Sequence, residues 1–105
     1  MNNDLFLKED CPMTRTMGKI DSKWKPIIIY TLDTKTIRFG HLAEQLKIIT
    51  RKVLSDELKD LENREIVVRT SYKELPPRVE YSLTEKGLAL LPALQAVAKW
   101  TTDFE

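Results

Sequence analysis

Apolar residues recur at helical spacing through most of this chain and switch to alternation over residues 79–83, so the pattern divides it into helices and a hairpin. Cys11-Pro12 can open a first helix, because proline at the first helical position lacks only an N–H that would have no partner there, and that helix should run to about Ile20. Trp24, Ile27, Ile28, Tyr30 and Leu32 predict a second, with Ser22 placed to cap it and Pro26 in its first turn. The run 27–30 also fits a buried strand, a reading made weaker by the extension of the helical face to Trp24 and Leu32.

Thr36-Ile37-Arg38 is short and β-favouring, and Phe39, Leu42, Ala43 and Leu46 then place one apolar stripe on a helix of about two turns. After Ile48-Ile49, Thr50 is a good N-cap, and Leu54, Leu58 and Leu61 recur on the inward face of the next helix. Arg51, Lys52, Ser55 and Asp56 are left facing outward near its start. Two helices meeting at a polar turn form the arrangement that offers a second helix to DNA.

Residues 66–72 alternate weakly, with Val68, Thr70 and Tyr72 on one side, and Val79, Tyr81 and Leu83 alternate cleanly, which predicts two antiparallel strands. The segment 73–77 between them ends in Pro76-Pro77, whose fixed φ and missing donors suit an exposed tip. Thr84 should cap a final helix carrying Leu88, Leu91, Leu94, Ala98 and Trp100, with Pro92 as a kink or break. The predicted fold class is mainly α with a small β wing (α+β), a winged helix-turn-helix with extra N- and C-terminal dimerisation helices. Residues 1–105 are read as one domain, with 1–10, which hold Leu5, Phe6 and Leu7, as a flexible arm and 84–105 as the C-terminal dimerisation region.

Composition narrows the function. At 105 residues, 42% hydrophobic and 31% charged, the chain suits a single small domain whose leftover apolar surface is buried by a second copy. No stretch has the about 20 apolar residues of a membrane span, and the acidic start does not fit a signal peptide, so a cytoplasmic location is expected. One cysteine and one histidine supply neither an internal disulfide nor a Cys/His zinc cluster. There is no Gly-rich phosphate loop, no nucleophile with a base and no recognisable carboxylate pair, so an enzyme and a cofactor are not expected.

A net charge of +1 is unpromising for binding phosphate, but its distribution is not even. Residues 35–52 hold Lys35, Arg38, Lys47, Arg51 and Lys52 against Glu44, a local +4, whereas five acids stand against Lys59 and Arg64 in residues 53–67, a local −3. Such polarity fits a protein that meets phosphate with one face. The acidic half supports an alternative, a winged helix that binds protein rather than DNA.

The order Cys11-Pro12, Lys23-Trp24, Arg38-Phe39 with Leu42, Leu54 to Leu61, and then Pro76-Pro77-Arg78-Val79-Glu80-Tyr81-Ser82-Leu83-Thr84 resembles the HxlR-type winged-helix transcription regulators, related in shape to the MarR group. The resemblance covers the chain from about residue 10 onward, and the wing is its most specific part. It implies a bacterial or archaeal homodimeric regulator, in all expectation a repressor, on a pseudo-palindromic operator in double-stranded DNA. It also implies that the helix after Thr50 is the recognition helix, with Arg51, Lys52 and Ser55 near bases or phosphates, Arg38 and Lys47 as positioning contacts, and Lys73 and Arg78 flanking the wing. Where many relatives have a glycine pair before Lys23-Trp24, this chain has Asp21-Ser22, which affects a turn more than DNA contact.

Several residues carry two readings. Asp56 either accepts from a cytosine amino group or orients Arg51 or Lys52. Arg78 either touches DNA or pairs with Glu74 or Glu80. Trp24 and Trp100 belong to apolar stripes and should pack in the core or a dimer, and His41 should be an exposed helix residue near phosphate. Cys11 matches the N-terminal cysteine through which some relatives sense oxidants or electrophiles. A helix start favours its thiolate while Glu9 and Asp10 oppose it, so Cys11 is a candidate redox sensor or a small packed residue. The small-molecule effector, if one exists, is unknown.

Overall fold

The computed structural model describes residues 11–105. The arm expected over 1–10 therefore lies outside the described residues. Among the described residues, five helices and three strands follow in the order α1 (Pro12–Lys19), α2 (Trp24–Leu32), β1 (Ile37–Arg38), α3 (Phe39–Gln45), α4 (Arg51–Asn63), β2 (Val67–Tyr72), β3 (Arg78–Leu83) and α5 (Glu85–Phe104). The segment 27–30 is helical, and the strand alternative falls.

Thr50 and Thr84 are N-caps as expected, whereas the N-cap of α2 is Lys23 and Ser22 acts from one position further out. Ser22 Oγ accepts from Lys25 N at 3.0 Å, although the helix proper begins at Trp24, so the serine satisfies a first-turn donor from two residues upstream. Thr50 Oγ1 accepts from Val53 N at 3.1 Å and Thr84 Oγ1 from Gly87 N at 3.1 Å. Thr84 also donates to the Glu65 carbonyl at 2.7 Å, which ties the start of α5 to the end of α4.

Pro92 does not end α5, which is assigned as one helix of 20 residues through it. The proline removes one donor from the helical ladder, and the helix continues because Leu90, Leu91 and Leu94 on the near side hold it against the body. α4 closes differently. Ile66 N reaches Leu61 O at 2.9 Å and Glu65 N reaches Glu62 O at 3.0 Å, with Glu65 at φ 62°. That is a Schellman closure with a glutamate where glycine is favoured.

The hairpin is extended into a three-stranded antiparallel sheet of order β1-β3-β2, because Ile37 pairs with Tyr81 and Arg38 with Glu80. On the other side of β3, Val67 pairs with Leu83, Arg69 with Tyr81 and Tyr72 with Arg78. The β-favouring stretch before Phe39 is thus a third strand that the two-strand reading lacked. It anchors the start of α3 to the root of the wing.

The core gathers Ile28, Ile29 and Leu32 of α2, Leu42 of α3, Leu54, Leu58 and Leu61 of α4, and Tyr81 and Leu83 of β3, all buried. One cluster therefore fixes both helices of the helix-turn-helix against the sheet. Gly87 is where α5 crosses this body closely. A Cβ there would collide with the Ile66 carbonyl oxygen and press on the Leu83 Cβ at 3.2 Å, so only glycine allows this approach. Among the described residues, no helix is long and apolar enough to cross a membrane.

Candidate nucleic-acid interface

The N-terminal end of α4 is built by opposition. Thr50 stops the chain in an extended conformation and caps the helix, and the inward leucines at 54, 58 and 61 fix its rotation. Arg51, Lys52, Ser55 and Asp56 are consequently exposed on the other face, as their spacing predicted. The first turn holds no acid and carries the two exposed cations, and the positive end of the helix dipole adds to their charge.

Not every cation on this face is equally available. Lys52 Nζ lies 2.9 Å from Asp56 Oδ2 and Lys47 Nζ lies 3.4 Å from Glu44 Oε1. Both lysines are largely exposed, and such pairs are worth about 0–1 kcal/mol, so phosphate can displace the carboxylates. Of the two readings of Asp56, the geometry realises the one in which it orients Lys52. Arg51 has no carboxylate partner among the described residues and leans over Phe39, its guanidinium carbon 6.0 Å from the ring centre. Phe39 in turn contacts Tyr81 of the wing, with centroids 6.4 Å apart.

Arg78 differs. Its side chain is only 25% exposed, lies 3.3 Å from Glu74 Oε1 and 3.5 Å from Glu80 Oε2, and stacks 4.0 Å over the Tyr72 ring. The pairing reading of Arg78 is thus the one seen. Lys73 remains exposed beside the tip, and Leu75 projects fully into solvent.

Between α3, α4 and the wing runs an open groove of about 840 Å³, whose lining includes Arg38, His41, Ser55, Arg69 and Pro76. Arg38 and His41 are exposed and line it, so the structure brings the α3 start, Ser55 on the outer face of α4 and the hairpin to one surface. Arg69 was not among the sequence candidates. Its signal was register: it lies two residues after the buried Val67 and opposite Tyr81, which turns it toward α4.

A second group escaped the sequence reading altogether. Lys25, 5% exposed, stands 2.9 Å from Asp60, 3.3 Å from Asp21 and 3.5 Å from Glu57. Glu57 also accepts a short hydrogen bond from Ser22. Arg64 contacts Asp60 at 2.9 Å and Asp21 at 3.6 Å and donates to the Gly18 carbonyl at 2.8 Å. Burial opposes the charge of Lys25, but hydrogen bonds to Asp60 and Asp21 and the charges of Glu57 and Asp60 outweigh it and raise its pKa. The hydrogen bonds from Lys25 and then Arg64 lower that of Asp60 against a smaller opposing effect of burial. The four-residue spacings Asp21/Lys25 and Asp60/Arg64 were the available clue. Two of the acids expected to form an acidic surface after Val53 are therefore turned toward internal cations, and the protein-binding alternative loses much of its basis.

The terminal helices expose apolar groups. α1 buries none of its own side chains and shows Met13 and Met17, and α5 shows Leu88, Val97, Trp100 and Phe104, the last two with ring centroids 5.9 Å apart. Trp24 packs on the core, whereas Trp100 does not. Cys11 is half-buried immediately before α1. No group of three or more His, Cys, Asp or Glu suited to a metal ion occurs among the described residues.

Comparison with known proteins agrees with this architecture. Residues 19–105 match the family described as HxlR-like helix-turn-helix. The chain is 45% identical over 93 residues to an uncharacterised HTH-type transcriptional regulator of Halalkalibacterium halodurans, covering 88% of this chain and 82% of that one. It is similar in structure to a regulator assigned to the MarR family from Porphyromonas gingivalis W83, with TM-score 0.90, 37% identity and coverage of 93% of this chain and 96% of the other. It is also similar to the redox regulator HypR in its oxidised form, with TM-score 0.84, 36% identity and coverage of 90% and 98%.

Proposed function

Because the chain belongs to the HxlR-like helix-turn-helix family of transcriptional regulators, we propose that it acts as a homodimeric repressor which sets two copies of α4 into successive major grooves of a pseudo-palindromic operator. One observation carries the reading: the cationic, acid-free first turn of α4 stands exposed beside the wing. In this proposal Arg51, Lys52 and Ser55 reach base edges or phosphates, and Thr50 presents the helix end. Arg38, Lys47 and Lys73 hold the backbone on either side. Arg78, already held by Glu74 and Glu80, shapes the wing tip.

Dimerisation through the exposed faces of α1 and α5 is part of the same proposal, since Met13, Met17, Val97, Trp100 and Phe104 are apolar surface that a second copy would cover. Cys11 before α1 is the proposed point of oxidant response, because a helix start stabilises a thiolate. Its support is the likeness to HypR, itself titled a redox regulator.

The test is selection from a randomised DNA pool by wild type and by an Arg51→Ala, Lys52→Ala double variant. Enrichment of a two-fold symmetric site by the wild type alone is expected. Failure of the wild type to enrich any site would remove the regulator reading. For the cysteine, oxidant should weaken operator binding by the wild type and leave Cys11→Ser unchanged.

A further inference from the structure

We propose that the wing's contact to the DNA backbone is made by Arg69, in the middle of β2, and that Arg78 at the tip is a strut that touches no phosphate. The inference rests on the DNA-binding role proposed for α4. Its ground is the different company the two arginines keep. Arg78 lies between two carboxylates and a tyrosine ring, so a phosphate approaching it would have to displace Glu74 and Glu80 and meet their charge. Arg69 is exposed, and among the described residues its one side-chain partner is the neutral Ser71 hydroxyl, 2.9 Å from Nη1. Most of its N–H donors remain open in the planar fork that suits a phosphodiester.

Position makes the same distinction. Both arginines line the groove that Arg38 also lines, but only Arg69 also lines the hollow against α4, with Ser55, Lys59 and Glu62. A strand of DNA whose bases are read from Ser55 would pass its phosphates through this groove between Arg38 and Arg69. Glu62 is the one acid lining the hollow, beside Lys59 and Arg69, and Glu74 is the one acid lining the groove, where it is paired with Arg78 beside Arg38 and Arg69. The local charge therefore favours an anion.

The contact should add affinity without sequence preference. Wild type, Arg69→Ala, Arg69→Gln, Arg69→Lys and Arg78→Gln are titrated at several salt concentrations onto the DNA that the wild type selects. Both neutral Arg69 variants should bind about tenfold more weakly and lower the slope of log K against log salt by about 1 per protomer, with an unchanged consensus. Arg69→Lys should restore the slope, and Arg78→Gln should keep it. Thermal melting checks folding, and the exposed Arg69→Gln should melt like the wild type. Wild-type slopes in the neutral Arg69 variants, or a slope lost in Arg78→Gln alone, would overturn the assignment and leave the regulator reading standing. A wild type that selects no DNA would overturn both.

Discussion

The ammonium of Lys25 stands 2.9 Å from the carboxylate of Asp60, joining the first turn of α2 to the third turn of α4. Asp60 is four residues before Arg64, which extends the same chain of charges to Asp21 and to the backbone at Gly18. The rotation of α4 is thus set by leucines on one side and by this polar chain near its far end.

Removing the cation should be costly, because Glu57, only 17% exposed, would lose its ion-pair partner, while Asp60 would keep Arg64 alone. Lys25→Ala is expected to lower stability by about 2–4 kcal/mol in urea denaturation. Lys25→Met should lower it less, since the stem still packs. Equal losses in the two variants would show that charge, not packing, is the function of this residue, and a near-wild-type Lys25→Met would show the reverse.

The same pair predicts a pH dependence. Asp60 has a folded pKa below its unfolded value, so its contribution is complete above about pH 4 and is lost as pH falls through the folded value. Lys25 has a raised pKa, so its contribution is complete below about pH 10 and is lost as pH rises through the folded value. Stability measured down the acid limb should fall less steeply in Asp60→Asn than in the wild type. An unchanged limb would place the acid sensitivity on other carboxylates.

Two backbone positions should respond in opposite directions. Gly87→Ala forces a methyl against the Ile66 carbonyl and should cost about 1–3 kcal/mol. Glu65→Gly relieves a side chain held at φ 62° and should add about 0.5–1 kcal/mol, despite the greater freedom of glycine in the unfolded chain. Thermal unfolding of the two variants checks both signs.

Asp56 offers a test of reading against steering. As the partner of Lys52 it holds a negative charge at the DNA face, and Asp56→Ala should raise affinity for unrelated DNA by about 2- to 5-fold at moderate salt. Loss of preference for one base, without that rise, would instead assign it a cytosine contact.

The elements most legible in the sequence were those whose period and caps agree. The leucines of α4, Thr50 and Thr84 each define one local geometry, and the hairpin was marked by alternation broken at two prolines. What the sequence hid depended on distant partners. Ile37 and Arg38 are a strand only because β3 offers an edge, and Pro92 is tolerated because the turns around it pack on the body. Lys25 and Glu57 read as ordinary surface charges because their meeting joins residues 32 positions apart on different helices. At the candidate interface the outward face of α4 was readable from period alone, whereas the neutralisation of Arg78 and the exposure of Arg69 follow from the pairing of two strands.

No residue of α1 is fully buried among the described residues, yet Arg64 grips the carbonyl of Gly18 at its last turn while holding Asp60 on α4. A partner that grasps α1 thereby grasps a lever whose fulcrum is Arg64. In a pair of chains joined this way, the gap between the two reading ends is a property of that joint. The spacing of operator half-sites would then be measured by an arginine that never comes near a base.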